Sequence, residues 1–545
     1  MNDLRPNEPR HLRDQSPKEP SSRSSRPSGP SEASTFLSGH GEVTGTKPVE
    51  ASPVAATEEQ AAPSSETLRF MGIFLAVAPA MFIGSLDQTI VATALPVIAA
   101  QLGSLADITW IVTAYLLAAT VAAPIYGRLG DAVGRKTVLL GALALFIAGS
   151  VACALSPNLT VLVIGRALQG LGGGGLMTLS QALIGEAVSP KERGRFQGWF
   201  GAVFATASTL GPVLGGLLSE HVGWRWIFWV NVPLGLAAAV AAMRVEAEEG
   251  QGGFSLDVQG TAMFVAATLA LLVALSLGSS LGWTSAPVLI LLGIGLLGLA
   301  LLLPVERRVT APLLSPGLLT QPVVWKSALC VLLFAAALFG ALVQLPLMLE
   351  LVFDVSPTFA GLLLIPLTLA QVCVSTWAGM RMSTTGLPRW PLVWGLGMAT
   401  LGFVALAATL TLGPIAVAAS SVLFGLGLGT TMPAAQTMAQ WAGGKARLGA
   451  STATLSFSRS VGGVSGTAVT AAILLAAIEH YAPGSAGKVQ ALLGGGGVER
   501  AGLPHEAITS AFRLVFASLA AMTAAATLLA ATIPAVDLAA PEPTA

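Results

Sequence analysis

Residues 159–184 read LTVLVIGRALQGLGGGGLMTLSQALI, and the fold turns on how that stretch is taken. Gly170, Gly172 and Gly175 fit G-x-G-x-x-G, the spacing of a dinucleotide loop, which needs a strand before it and a helix opening after it. No strand precedes these glycines; they lie inside a run that is apolar apart from Arg166. A run of this length crosses the roughly 30 Å of a bilayer's hydrocarbon as one helix. Inside such a helix, small residues let neighbouring backbones approach. The stretch therefore reads as a membrane span, and the fold as all-α.

The rest of the chain agrees. Its 545 residues are 53% hydrophobic and 10% charged, with a mean hydropathy of +0.74. Lys plus Arg and Asp plus Glu both number 28, so no basic footprint for nucleic acid exists. Cys153, Cys330 and Cys373 sit in apolar runs without metal-ligand spacing, and the five histidines include no H-x-x-x-H pair. No disulfide framework, metal site, cofactor or catalytic constellation is indicated, so the chain does not read as an enzyme. Residues 1–66 are rich in Ser, Pro, Glu and Arg and read as a disordered cytoplasmic tail without a secretory signal.

Apolar stretches predict fourteen spans, near 70–98, 108–127, 137–156, 159–184, 196–219, 224–243, 259–278, 286–304, 326–350, 358–380, 389–411, 414–440, 449–477 and 510–534. Alternate loops collect Arg128, Arg135, Lys136, Lys191, Arg193, Arg195, Arg244, Arg307, Arg308, Lys326, Arg381, Arg389, Lys445 and Arg447, whereas the others hold Arg225, Lys488, Arg500 and little else. The positive-inside rule then places both termini in the cytoplasm, including a short tail at 537–545. Glycines seven apart recur after spans 2 and 10, at Gly127/Gly134 and Gly379/Gly386. These predict two six-helix halves, 67–245 and 313–536, joined by a two-helix insertion at 246–312, with a cavity between the halves.

An ionisable side chain in hydrocarbon costs about 2.5–3.5 kcal/mol on insertion scales, so each one needs a reason. Asp87 in span 1 and Arg166 in span 4 fall at depths of roughly 16 and 10 Å from the same side at 1.5 Å per residue, which predicts an ion pair. A carboxylate near an arginine stays ionised, and one separated from it in low dielectric takes up a proton, so protonation would be coupled to helix movement. A static pair that only fixes packing is the alternative.

Gly127-Arg-Leu-Gly-Asp131-Ala-Val-Gly134-Arg135-Lys136 is expected to turn tightly at the inner surface. There Asp131 could cap a neighbouring helix or pair with a base, and Arg135 could reach Glu186. Gly211-Pro212-Val-Leu-Gly215-Gly216 in span 5 is expected to bend its helix and pack closely on a partner. Gln88, Gln344, Glu350, Gln371 and Arg459 are further polar residues in spans and candidates for lining a substrate pocket.

Together these pieces resemble the major facilitator superfamily, specifically its fourteen-span drug:proton antiporter branch, the EmrB/QacA type. Leu86-Asp87-Gln88-Thr89 through Pro96 is similar to the branch's span 1 motif, Gly127 to Leu140 to the superfamily's loop motif, and Arg166-Ala-Leu-Gln169-Gly170 to the span 4 motif. Gly211-Pro212 through Gly216 resembles the span 5 antiporter motif, and Trp224 to Gly235 a run frequent in the branch. Three positions depart from the pattern: Ala92 replaces an Asn, Ala132 a basic residue, and Glu350 a common Gln. The second-half loop, Gly379 to Gly386, also lacks the acid that Asp131 supplies.

The resemblance implies a major facilitator fold whose halves rock about a central pocket. It also implies export of lipophilic or cationic compounds against inward proton flow, with Asp87 and Arg166 in proton transfer. Dedicated export of one endogenous metabolite, such as an antibiotic, siderophore or lipid precursor, uses the same motifs. The chain is expected to act as a monomer in a bacterial inner (plasma) membrane, with protons, a small molecule and the bilayer as its partners. The segment 478–509 offers a contact for a periplasmic adaptor.

Overall fold

A hydrocarbon solvent offers no hydrogen bonds, so each spanning segment must satisfy its own backbone, and a helix does so within one segment. The computed structural model describes residues 65–102, 105–245, 257–309, 313, 316–355, 357–484 and 504–540, which contain helices and no strand. Among the described residues, fourteen helices are long and apolar enough to cross a membrane. The first six are α1 (Ser65–Ile90), α2 (Leu105–Val133), α3 (Arg135–Ala154), α4 (Leu159–Ala187), α5 (Pro190–His221) and α6 (Asn231–Met243, preceded by a short helix at Arg225–Trp229). A pair follows, α7 (Val258–Leu281) and α8 (Ala286–Glu306). The last six are α9 (Pro322–Phe353), α10 (Ile365–Thr385), α11 (Arg389–Thr409), α12 (Pro414–Gly443), α13 (Leu448–Tyr481) and α14 (His505–Ala531). The expected tail at 1–64, the charged break at 246–256, the centre of the adaptor segment at 485–503 and the end of the chain at 541–545 lie outside the described residues.

Three local expectations change. Span 1 does not run unbroken to residue 98: α1 ends at Ile90, and a 3-10 turn at Ala92–Ala94 leads into a short helix, Leu95–Leu102. Pro96 has no N–H to bond the carbonyl four residues earlier, which loosens the helix where the turn forms. Nor is the glycine-rich stretch after span 2 a loop. Helix α2 continues through Gly127, Gly130 and Asp131 to Val133, and the chain turns only at Gly134, whose φ of 109° suits glycine. The counterpart behaves alike, since α10 continues through Gly379 and Ser383 and stops at Gly386 with φ 72°. In both helices, only the second glycine of the seven-residue spacing is used for a turn.

Within the first six helices, α4 packs on both α2 and α3. Its glycines explain how: a Cβ on Gly170 or Gly174 would strike the α2 backbone at Tyr115 or Ala119, and one on Gly172 would strike α3 at Ala142 and Phe146. The two halves meet reciprocally, with α2 against α13 and α5 against α10. In each contact the second helix of one half lies on the fifth of the other, the pairing that two-fold-related halves produce. The inserted pair sits to one side, α8 packed on α7 and α7 on α2 and α13. Leu289, Ile290, Ile294, Leu296, Leu297 and Leu301 of α8 all face outward, an apolar surface that suits lipid.

Candidate functional site

The predicted pair forms at the broken end of α1. Asp87 lies in the last turn before Ile90, fully buried, and its Oδ2 accepts a 2.6 Å hydrogen bond from Arg166 Nη1 on α4. Two further donors fill Oδ1: Gln169 Nε2 at 2.9 Å, and Asn231 Nδ2 at 2.9 Å from the start of α6. Gln169 stands one helical turn beyond Arg166, and its carbonyl oxygen accepts from Arg166 Nη1 at 2.7 Å while its amide also reaches Ser150 on α3. Arg166 Nε donates to the Ile111 carbonyl, and its guanidinium lies 4.3 Å from the centre of the Tyr115 ring on α2. Five helices thus converge on one carboxylate.

This arrangement has a definite chemistry. Both charges are out of water, so each is tolerable only because the other and the surrounding donors compensate it; removing one partner of a buried pair costs about 3–5 kcal/mol. Sequence reasoning found the two ions because a charge is conspicuous in an apolar run. It assigned no role to Gln169, Asn231, Tyr115 or Ser150. The available signals were the i, i+3 spacing of Arg166 and Gln169 and the membership of Gln169 and Asn231 in the span 4 motif and the Trp224 to Gly235 run.

At one end of the bundle, the residues of the Gly127 to Lys136 stretch join the halves. Asp131 Oδ1 accepts from the Gly449 N–H at 2.9 Å and Oδ2 from the Ala450 N–H at 3.0 Å, capping the start of α13. Arg135 donates to Asp131 at 2.8 Å, to Glu186 at the end of α4, and to the Lys445 carbonyl at 3.2 Å. Lys136 Nζ donates to the Val245 carbonyl at 2.7 Å. The backbones are close here: a Cβ on Gly127 would lie 2.6 Å from both the Gly449 carbonyl oxygen and Ala453. Capping and pairing, entertained as alternatives for Asp131, occur together. At the reciprocal contact between α10 and α5, the side-chain bond from Ser383 Oγ to Glu192 Oε1 is weak, at 3.4 Å.

The glycines of α5 meet the broken end of α1. A Cβ on Gly211 would strike Thr89, and one on Gly215 would strike the Ile90 carbonyl and Thr93. Pro212 lies between them within a helix that runs unbroken from Pro190 to His221. Gly216 has nothing within 4 Å of where a Cβ would sit, so it takes no part in this contact.

Between the halves lie two adjoining cavities of about 80 and 100 Å³, which share Phe339 and Arg459. Their walls mix aromatic and thioether groups (Met177, Phe200, Phe204, Phe334, Met432) with the amides of Gln181, Gln197, Gln371 and Gln436. Three of the five pocket candidates are here: Gln371, Arg459, and Gln88 in the second cavity. Gln344 is buried in α9 with its Oε1 lacking a hydrogen bond, and it lines neither cavity. Glu350 is half-buried a few residues before the end of α9 and lines neither. A larger cavity of about 660 Å³, apolar in lining, opens between α5, α9 and α10 around Ser208, Leu342 and Leu362.

Comparison with known proteins follows this geometry. A family model described as Major Facilitator Superfamily matches residues 77–255 and 251–467. The multidrug transporter protein MdtP of Bacillus subtilis is 32% identical over 415 residues, covering 75% of this chain and 76% of its own length. The efflux pump FUS6 of Gibberella moniliformis is 31% identical over 473 residues, 82% of each chain. Among solved structures, the proton:xylose symporter XylE, bound to 6-bromo-6-deoxy-D-glucose, matches 86% of this chain and 97% of its own with a TM-score of 0.60. At 14% identity that likeness concerns the fold alone.

Proposed function

This chain belongs to the major facilitator superfamily, and from that premise we propose that it exports small lipophilic compounds by alternating access in exchange for protons. As a member of that family it is a multi-pass membrane transporter and not an enzyme. The names of its relatives, a multidrug transporter and an efflux pump, support the outward direction. The observation that carries proton coupling is the fully buried Asp87 carboxylate held by Arg166, Gln169 and Asn231. Its charge is stable only while those donors surround it, so a helix movement that parts them makes protonation favourable.

In the proposed orientation the Asp131 end faces the cytoplasm, as the Lys and Arg of its loops suggest, and both termini lie on that side of a bacterial plasma membrane. The bonds of Asp131 and Arg135 to α13 and its preceding turn then hold the cytoplasmic end closed. The aromatic and Met-lined cavities suit lipophilic cargo, and thioethers repack around varied shapes. A second reading, dedicated export of one metabolite, is favoured by the small size of the two adjoining cavities and their fixed polar groups. The test is proton-gradient-driven dye uptake into inverted vesicles: wild type accumulates dye, Asp87→Asn does not, and wild-type uptake by that variant would remove the carrier role. A panel of unrelated compounds tested for export separates the two readings.

A further inference from the structure

Arg459 brings a positive charge into the cavity between the halves without bringing its counter-charge. Its guanidinium lies 5.9 Å from the centre of the Phe204 ring, and no ion pair forms on it among the described residues. None of the residues lining the two adjoining cavities is Asp or Glu. Asp87, next to the lining residue Gln88, is committed to Arg166 and its other donors.

A second group in the same cavity is also unsatisfied. Gln436 on α12 is 2% exposed, and neither its Nε2 nor its Oε1 has a hydrogen-bond partner among the described residues. Ser375 on α10, 1% exposed, likewise leaves its Oγ without one. Buried amides and hydroxyls are nearly always bonded, and an exception in a cavity wall calls for a partner from within the cavity, whether water, an ion or a ligand. A cationic ligand would place like charges together in a low-dielectric space, and a neutral one would leave the arginine uncompensated. An anion satisfies Arg459 and accepts from Gln436 and Ser375.

We propose that the central cavity selects amphiphilic organic anions, with a carboxylate or phenolate on Arg459 and an apolar body against Phe204 and Phe339. This rests on the export reading and narrows the lipophilic or cationic cargo that the family resemblance implies to lipophilic anions. The site also adjoins the buried pair: Gln88, which lines the cavity beside Arg459, is the chain neighbour of Asp87, and Asp87 is bonded to Arg166. An anion arriving at Arg459 is therefore two side chains from the proton-linked cluster.

The test uses the full chain in zwitterionic nanodiscs and three probes on one ring system: 2-naphthoate, 2-naphthamide and 2-naphthylmethylammonium. Titration calorimetry on wild type should give the anion an affinity about tenfold above the ammonium. Arg459→Gln should bring the two within about threefold, Arg459→Lys should keep the order, and Arg459→Glu should invert it. Equal or tighter ammonium binding by wild type, or an unchanged ratio in a folded Arg459→Gln protein, overturns the proposal and leaves Arg459 as a packing partner of Phe204. Efflux from proteoliposomes separates this from the underlying reading. Transport of the amide or ammonium without the anion keeps export and rejects anion selection, whereas Arg459-dependent anion binding without transport does the reverse.

Discussion

The two six-helix halves share a scaffold and differ in how their buried charges are compensated. In the first half, Asp87 with Arg166, and Asp131 with Arg135 and Glu186, are neutralised inside the protein by partners on neighbouring helices. In the second half, the cavity residue Arg459 has no counter-ion among the described residues, and on the same wall Ser375 Oγ and both ends of Gln436 have no hydrogen bond among them. Even the matched helix ends diverge: three residues before the glycine turn stands Asp131 in one half and Ser383 in the other. On the proposed mechanism, a self-neutralised half takes up and releases a proton without needing cargo. On the proposal above, the unpaired groups of the second half that face the cavity are completed by an anionic ligand.

Breaking the first-half pair is expected to have the largest effect. Asp87→Asn keeps the size of the side chain but leaves Arg166 buried without its counter-ion, so proton-driven uptake should fall to background. Breaking a buried pair from one side costs about 3–5 kcal/mol, and the variant should therefore also unfold at lower temperature. Asp87→Asn with Arg166→Gln removes both charges and should recover much of that thermal stability in detergent without recovering transport. Transport restored together with stability would reduce the pair to a packing device.

The membrane potential sharpens the comparison next. If the second half takes an anion while the first takes a proton, one-for-one exchange moves two charges in the same electrical sense. Each charge is worth about 2.3 kcal/mol per 100 mV, so a potential negative on the side of origin should shift the equilibrium gradient of naphthoate by roughly three decades at 100 mV. One-for-one exchange of a cation for a proton is electroneutral and should not respond. A valinomycin-imposed potential across proteoliposomes distinguishes them.

How much of this was legible follows the same division. The fourteen spans, Asp87, Arg166 and the reach of Arg135 to Glu186 were readable because length and isolated charge are local properties of a sequence. Gln169 and Asn231 were not, since an uncharged amide in a span looks the same whether it faces a carboxylate or packs against a neighbour. Their role depends on α4 and α6 converging on α1, which no spacing announces. The continuation of α2 through Gly127 and Gly130 was missed because glycine marks turns in water, whereas at a helix crossing it admits the Gly449 backbone. Phe204 and Phe339 were invisible as cavity walls because lipid-facing and cavity-facing phenylalanines share one sequence signature.

The two helix ends supply a smaller contrast. Asp131→Asn should weaken the charge-assisted cap on α13 and the bond to Arg135, each worth about 1.5–3 kcal/mol. With Cys373, the one exposed native cysteine, replaced by serine and a reporter placed by Gln197→Cys on the cavity wall, maleimide labelling from the Asp131 side should rise about tenfold. An unchanged rate would mean that Asp131 does not hold that end closed.

The smallest effect belongs to Ser383→Ala. The second crossing places its acid on the opposite helix: Glu192 lies in the first turn of α5, where a carboxylate already suits the helix N-terminus. Ser383 adds to it only a 3.4 Å bond, and Arg195 competes for the same side chain at 3.8 Å. What holds α5 on α10 is close backbone approach, since a Cβ on Gly198 would fall 2.9 Å from the Ser375 carbonyl and from the Thr376 Cα. Labelling at the same reporter should therefore change by less than about twofold in Ser383→Ala, whereas Gly198→Val, which forces those backbones apart, should raise it well beyond that. Equal effects from Ser383→Ala and Asp131→Asn would mean that the two crossings are alike, and that the asymmetry between the halves stops at the cavity.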